Sequence, residues 1–451
     1  MLELVNFLKD MGYIYQGSEI YGGLANTWDF GPAGSLLKNN IKDAWIKRFI
    51  RIENNNVLLD SAILMNPKVW EASGHLSTFS DPLIDCKKCK SRYRADKLLE
   101  EASIDTTHMN NEDLVNSIKD NNILCPNCKS NDFTNIRNFN LMFKTFQGVT
   151  EEAKNEVYLR PETAQGIFTN FSNVQRSMRL KVPFGIGQIG KSFRNEITPG
   201  NFIFRVREFD QMELEYFCKP GTEIKYFNYY KDICKEFLLS LGLEEDKLRL
   251  RDHTKEELSF YSNATTDIEY LYPFGWGELW GIASRTNYDL TVHSKASNKE
   301  LSYIDPLTNE KYIPYVIEPS VGVERLFLAI LSSSYIKETL DDGTQRELLR
   351  LKPSLAPYKV TVLPLVKKYH EDKAKLIYKE LSNNFMCLYD DTGSIGKRYR
   401  RSDAIGTPYV VTIDDETINN DIVTIRNRDT MKQESININK INEYIIKNIN
   451  L

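Results

Sequence analysis

The stretch FIFRVREFDQMELEYF, residues 202–217, constrains the fold more than any other. Its side chains alternate in character, a pattern that only an extended strand with two unlike faces can use. Counted by alternate positions, Arg205, Arg207, Phe209, Gln211, Glu213 and Glu215 share one face, and Phe204, Val206, Met212, Leu214 and Tyr216 share the other. A solvated edge strand would carry its charges mixed. Here the arginines stand at one end, the glutamates at the other, and a phenylalanine lies between them. That layout suits a ligand with an anionic end, an aromatic ring and a cationic group: an adenine nucleotide beside an amine.

The preceding text offers a competing reading. In GIGQIGKSFRNE, Gly185, Gly190, Lys191 and Ser192 satisfy G-x-x-x-x-G-K-[ST], the phosphate-cradling loop of many nucleotide-hydrolysing enzymes. Such a loop needs a buried strand before it and a helix whose amino terminus holds the phosphates. KVPF makes a poor buried strand, and Pro199 and Gly200 form a turn too soon after Ser192 for a helix. The segment reads instead as the first arm of a hairpin, IGKSFRNE, turning through ITPGN into the strand above.

Elsewhere, residues 32–50 show helical spacing, with Leu36, Leu37, Ile41, Ala44, Trp45 and Phe49 on one side and Pro32 in the first turn. A strand-like run, NVLLDSAILM, stops at Pro67. Residues 81–136 turn polar and cysteine-rich and read as an insertion, bounded at 81–145. Residues 222–241 look helical; LRLRDH, DIEYLYPF and GELWGIASRTNYDL look like strands of one antiparallel sheet, closed by a buried helix, VGVERLFLAILSS. The pattern breaks near Asp341 and Gly343, and 346–356 reads as a linker. Beyond it, 357–451 alternates strand and helix, from YKVTVLPLV to a final helix, as a separate α/β unit.

The chain has 451 residues, 27% of them charged, and a net charge of -4. That balance argues against a protein coated in basic residues for non-specific nucleic-acid binding, though not against a local patch. No apolar run approaches the roughly 20 residues of a membrane span, so no membrane partner is expected. The start, MLELVNFLKDMGYIY, lacks an apolar h-region and is not Arg-rich, which makes the cytoplasm the default compartment. Seven cysteines, an odd number, fit a reducing compartment.

Arg194-Asn195-Glu196, a loop, then RVREF resembles motif 2 of class II aminoacyl-tRNA synthetases, and SVGVERLFLAIL resembles their motif 3. The 32–50 helix with the strand ending at Pro67 resembles motif 1, a dimer-interface element. No H-x-G-H or K-M-S-K-S signature of class I is present. The blocks GSEIYGGLANTWDFGP, ILMNPKVWEASGHLSTFSDP, RYRAD, RPETAQGIF, FRNEITPGNF, GELWGIASRTNYDL and EPSVGVER are similar to the homodimeric, bacterial-type glycyl-tRNA synthetase family over nearly the whole chain. One block departs: relatives usually carry Asp where Ser284 and Asn287 stand, a loss of negative charge near the glycine end.

The resemblance implies an α+β fold: a class II antiparallel sheet flanked by helices in a catalytic part, 1–345, with the cysteine-bearing insertion, and a C-terminal α/β anticodon-binding domain. It implies a homodimer that uses ATP with Mg²⁺ to activate glycine, then passes it to tRNA(Gly). No protein nucleophile is needed, so the work is positioning and charge stabilisation. Arg194 would hold the α-phosphate and bridge to the glycine carboxylate, with Glu196 nearby and Asn195 between them. Arg325 would meet the γ-phosphate and cover one adenine face, Phe209 the other. Phe204, Arg205, Val206, Arg207 and Glu208 of the motif 2 strand complete the ATP side, with Arg205 on the outer phosphates. Gly322, Val323 and Glu324 of motif 3 join them, as do Glu278 and Leu279, Glu278 as the Mg²⁺ ligand. Glycine has no side chain to grip, so its site can hold only the ammonium and carboxylate and exclude anything larger. Glu162, Glu213 and Glu318 would surround the ammonium, with Ser320 beside them and Arg94 closing the site. The flanking Asp210, Gln211, Met212, Pro319 and Val321 belong to the same blocks.

Cys86-x-x-Cys89 and Cys125-x-x-Cys128 offer four thiolates in two knuckles, the donor set of a structural Zn²⁺ site; a relic that no longer binds metal is the alternative. In GSIGKRYRRSDAIGTPYVVTI, Lys397, Arg398, Arg400 and Arg401 form the strongest local basic cluster, and the stretch resembles the anticodon-binding domain of class IIa synthetases. A solvated helix face is the bland alternative. Two rival functions stay open: a class II synthetase for serine, threonine or proline, and an inactive synthetase-like binding subunit, such as the mitochondrial DNA-polymerase accessory factor built on this fold.

Overall fold

The computed structural model describes every residue except 107–108, 198–199, 260, 341 and 450–451, so Pro199 and Asp341, named above as turn positions, lie outside it. Its centre is a seven-stranded sheet of β1 (Asn56–Leu58), β2 (Phe184–Phe193), β3 (Glu208–Cys218), β4 (Leu248–Asp252), β5 (Ala264–Tyr272), β6 (Gly275–Thr286) and β7 (Tyr315–Gly322). Their spatial order is β4-β5-β6-β7-β3-β2-β1, antiparallel except where β1 meets β2.

The alternation in β3 explains the sheet's two faces. Met212 and Leu214 are fully buried on one side, with Trp280, Ile282, Ile317 and Val321. Three helices, Pro32–Ile46, Glu223–Ser240 and Val323–Ser334, supply the rest of that core. Val323–Ser334 is apolar on nearly every side and is correspondingly buried. On the opposite face, the helix Ala164–Met178 covers half the sheet, setting Phe168 and Phe171 against Phe184 and Phe217. The other half, where β3 carries its polar residues, stays open.

The phosphate-loop text lies wholly within β2. From Phe184 to Phe193 it is laddered to β3, so its amides are committed to the sheet and no helix follows. Its glycines serve close packing: a Cβ on Gly190 would stand 2.2 Å from Arg160 Nη2, and one on Gly187 2.8 Å from Trp45.

Four expectations change. The strand read from residue 202 begins only at Glu208, because Asn201 and Phe202 adopt left-handed φ of 54° and 61° and Gly200 bridges to Arg205 in a reverse turn. The run after Asn56 is a strand only to Leu58; beyond it the chain leaves the sheet edge, and Leu64 is 51% exposed. Residues 346–349 are not linker: Gln345–Leu349 pairs with Tyr335–Thr339 as a hairpin, held by buried Arg346, whose Nη2 donates to Arg428 O at 2.6 Å. The insertion is more than a polar excursion, since Ile84, Leu98, Leu99, Leu114 and Ile118 build a small core of their own.

The C-terminal part is a five-stranded sheet ordered Cys387–Tyr389, Val360–Pro364, Tyr409–Ile413, Ile422–Asn427 and Gln433–Asn437, parallel among its first three strands. The short helix Asp415–Asn420 and the last strand escape a sequence reading. The helix is fixed by a capping box at Asp414, and the strand is an exposed edge without apolar alternation. Among the described residues no helix is long and apolar enough to cross a membrane.

Candidate functional site

Register builds the site. Strand pairing aligns Gln211 with Gly322, Glu213 with Ser320 and Gly281, and Glu318 with Ala283, so these residues share the open face. Gly281 and Gly322 form a bare floor: a Cβ on either would meet nothing closer than 3.9 Å. Above it lies a cavity lined by Arg194, Glu196, Phe204, Arg205, Val206, Phe209, Gln211, Glu278, Leu279, Ser320, Gly322 and Arg325. A second cavity, lined by Ser73, His75, Thr78, Phe79, Glu162, Tyr261 and Arg285, shares Arg194 with the first.

Arg194 therefore stands between the two. Its Nε donates to Pro161 O at 3.0 Å, and its guanidinium carbon lies 5.4 Å from the Phe209 ring and 5.5 Å from Phe79. Arg325 lies over the Phe204 ring at 4.4 Å and reaches Glu278 at 3.1 Å. That guanidinium holds the half-exposed Glu278 carboxyl below its usual range. Phe204, assigned by parity to the opposite face, thus joins the cavity, because the chain at 204–207 is a turn and not yet a strand. Arg205 Nη1 is 3.9 Å from Glu196.

Of the three expected acids Glu162 lines the second cavity, and Glu213 and Glu318 lie close enough for their charges to act on one another without lining either cavity. Burial alone would raise the Glu162 carboxyl, but His75, 3.4 Å away, holds it well below the usual range, helped by Arg285. His75 Nδ1 in turn meets Ser73 Oγ at 2.8 Å. Glu213 accepts from Thr163 Oγ1 at 2.5 Å and Gln211 Nε2 at 2.8 Å, yet burial and the charges of Glu318 and Glu162 push it up to about 8. Gln211 Nε2 also donates to Ser320 Oγ at 2.8 Å. Arg285 donates to Glu318 at 2.8 Å and to Asp289 at 2.8 Å. Three carboxyls converging beside so few cations leave a site poised for one small positive group.

Several expected residues do not reach either cavity, since a period of two sends neighbours to opposite faces. Met212, Pro319, Val321 and Val323 sit on the core side of the sheet or in its helix. Asp210 and Glu324 bind Lys38 Nζ at 2.5 and 2.6 Å beneath the floor, Glu324 only edging the first cavity. Arg207 donates to Glu196 O and Ala25 O, Glu208 pairs with Lys191 at 3.1 Å, and Asn195 lines a separate cavity behind. Arg94 is engaged by Asp81 at 3.1 Å and Asp96 at 2.6 Å and lines neither cavity. Ser284, paired with Ile317, lies on the face away from Glu318, so its departure from the usual Asp removes no charge from the carboxyl cluster. Asn287 precedes the helix Tyr288–Ser297.

Sequence reasoning missed His75, Tyr261 and Arg285. Arg285 reaches the site through an irregularity in pairing between Ser284 and Thr286, and His75 lies in a short helical turn without periodicity. Both stand inside blocks that carry the family resemblance, which was the one available signal.

The four knuckle cysteines converge, with Sγ separations of 3.5 Å for Cys86–Cys128 and 3.6 Å for Cys89–Cys125. A tetrahedron with metal–sulfur bonds of about 2.3 Å has edges of about 3.8 Å, so the donors fit zinc. The two knuckles share one backbone form, each closed by a lysine with left-handed φ, Lys90 and Lys129. In the C-terminal part the basic cluster divides. Arg398 is buried and donates to Pro364 O at 2.6 Å, a structural tie. Arg400 is half-buried and reaches Thr344, Arg401 is exposed but paired with Asp390 at 2.6 Å, and Lys397 is exposed.

Comparison with known proteins matches residues 143–334 to the tRNA synthetase class II core domain (G, H, P, S and T), 359–448 to the anticodon binding domain, and 81–116 to glycyl-tRNA synthetase insertion domain 1. Relatives named glycine–tRNA ligase are 60% identical in Geobacillus thermodenitrificans, over 100% of this chain and 97% of the relative, and 59% identical in Clostridium kluyveri, over 100% and 98%. A third, from Geobacillus kaustophilus, is 60% identical over 100% of this chain and 99% of its own length.

Proposed function

The chain belongs to the glycine–tRNA ligase family of class II aminoacyl-tRNA synthetases, and from that we infer that it charges tRNA(Gly) with glycine, using ATP. The observation that carries the residue-level reading is Arg194 lining both a cavity of arginines and aromatics and a cavity that holds Glu162, whose charge acts on the neighbouring Glu213 and Glu318. In the first step an oxygen of the glycine carboxylate attacks the α-phosphorus of ATP, and the bond to the β-phosphate oxygen breaks, releasing pyrophosphate. Arg194 spans both reactants, steadying the α-phosphate and the attacking carboxylate. Arg325 and Arg205 meet the outer phosphates, and Phe204 and Phe209 bracket the base. Glu162, Glu213 and Glu318 take the ammonium, with Arg285 and His75 keeping Glu318 and Glu162 in place. In the second step a terminal ribose hydroxyl of the tRNA attacks the carbonyl carbon, and AMP leaves with the bonding electrons.

Class II synthetases work with Mg²⁺, which supplies charge neutralisation at the phosphates. Glu278, an ionised carboxyl lining the nucleotide cavity, is the residue that would hold it. Zinc in the Cys86, Cys89, Cys125 and Cys128 site would be structural, and one zinc per chain by atomic emission is the expected result. The proposed division of labour is catalysis in 1–345 and anticodon binding from 357 onward, in a cytoplasmic homodimer.

The decisive test is ATP–pyrophosphate exchange with each of the twenty amino acids. Exchange with glycine alone is expected; exchange with serine, threonine or proline would overturn the specificity, and none at all would favour a binding subunit. For the RNA end, Lys397→Ala combined with Arg401→Ala is expected to spare that exchange and weaken tRNA affinity about 10-fold, as for the loss of two surface phosphate contacts. Unchanged tRNA binding would remove these residues from the interface.

A further inference from the structure

Glu215 is the anomaly of the carboxyl cluster. It is 0% exposed, and among the described residues no N–H or O–H donates to either of its oxygens. A buried polar group in that condition requires an explanation. On β3 it falls opposite Glu318, between the paired positions Glu213–Ser320 and Tyr216–Ile317. The oxygens of Glu213, Glu215 and Glu318 lie within 4.8 Å of one another. On its other side stands the apolar cluster of Phe168, Ile186 and Phe217.

Among the described residues no cation pairs with Glu215. Arg285 is committed to Glu318 and to Asp289. Glu213 is supplied by Thr163 and Gln211. A further negative charge in this dry corner, beside the Glu318 carboxylate and the Glu213 carboxyl already raised to about 8, would be an uncompensated buried ion, which is among the costliest arrangements a protein can hold. A bound proton removes the charge and turns an acceptor into the one donor the corner lacks.

We propose that Glu215 is held as a neutral carboxylic acid whose O–H donates to the Glu318 carboxylate, orienting Glu318 towards the substrate ammonium. Glu215 is then a positioning residue that touches no substrate. Burial, followed by the charges of Glu318 and Glu213, drives its proton affinity well up; burial raises Glu318 as well, and there Arg285 and the contact with Glu215 oppose protonation. Glu318 is thereby held between Arg285 on the neighbouring strand β6 and the acid on β3. A charged ligand that must discriminate by position alone needs such fixing, since glycine offers no side chain to correct a loose fit.

The role of Glu318 rests on the glycine-activating reading; the protonation of Glu215 does not. The two are separated by two measurements on the full-length protein. Difference infrared spectroscopy of wild type against Glu215→Gln is expected to show a protonated-carboxyl C=O band that shifts in D₂O and is lost in the variant. Absence of the band would overturn the proposal, whatever the activity. In pyrophosphate exchange, Glu215→Ala is expected to raise the glycine KM by about 10- to 100-fold, the range for losing a hydrogen bond to a charged group, with the ATP KM unmoved. Glu215→Gln, neutral and able to donate from its amide, is expected to recover most of that loss. A Gln variant as impaired as the Ala variant would refute the neutral donor. A band without any glycine-dependent exchange would sink the activity and leave the neutral acid standing.

Discussion

Replacing Arg194 with alanine is expected to abolish glycine-dependent pyrophosphate exchange, by about 10³-fold or more, while the protein still folds. The size follows from its place. One guanidinium serves both cavities, so its loss removes transition-state charge stabilisation and the alignment of attacking carboxylate with phosphorus at once. Lysine would not restore it, because a point charge cannot make two planar contacts. The fold should survive because among the described residues the side chain makes one hydrogen bond, to Pro161 O, beyond its ring contacts, and its backbone N–H remains bound to Arg207 O at 2.9 Å. Exchange rates and a thermal melt on the same preparation decide the matter. Exchange within a few-fold of wild type would remove Arg194 from the centre of the mechanism.

The second large effect concerns stability. Lys38→Met is expected to cost about 3 kcal/mol, the lower end of the range for breaking a buried ion pair by removing one partner. Lys38 Nζ lies 2.5 Å from Asp210 and 2.6 Å from Glu324, with all three side chains at most 8% exposed. Glu324 also accepts the Asp210 backbone N–H at 2.9 Å, so this one cation ties the helix Pro32–Ile46 to β3 and to the helix Val323–Ser334. Lys42, 3.2 Å from Asp210, softens the loss. The pH dependence carries a definite sign. Asp210 has a folded pKa below its usual value, because its lysines outweigh burial. Its contribution is therefore present above its unfolded pKa of about 3.9 and is lost as pH falls through the lower folded value. Lys38 is raised by Glu324 and Asp210 against burial, so its contribution is complete below about 10.4 and is lost as pH climbs through the higher folded value. In Lys38→Met the two carboxyls face each other, and protonation relieves them. The deficit should shrink between pH 7 and pH 5 in denaturant titrations. A deficit that stays constant or grows on acidification would show that the cost is one of packing rather than charge.

Some of the site was legible from local text alone. The alternation around Glu213 placed Gln211, Glu213 and Glu215 on one face, and the strand confirms that placement from Glu208 onward. It failed upstream, where Phe204 and Arg207 exchange their expected sides. Parity is a rule about extended chain, and it carries no phase across a turn with left-handed residues at 201 and 202. The basic cluster misled for a related reason. One turn of helix turns Lys397 and Arg401 outward and carries Arg398 into the carbonyls at Pro364 and Leu365. Four charges in five residues cannot all face one partner on a helix.

The sequence by itself determined the family, the sheet-forming pattern and the two cysteine knuckles. Each of these is written in spacing of a few residues, which local chain geometry reads directly. Only the tertiary structure decided which residues meet: His75 with Glu162, Arg285 with Glu318, Lys38 with Glu324, and Glu215 with no donor among the described residues. Those pairs join segments tens to hundreds of residues apart. Their contact depends on strand register and a pairing irregularity, and no local periodicity encodes either. Burial then set the charge states, since the same glutamate is an ordinary surface acid or a held proton according to what the fold closes over it.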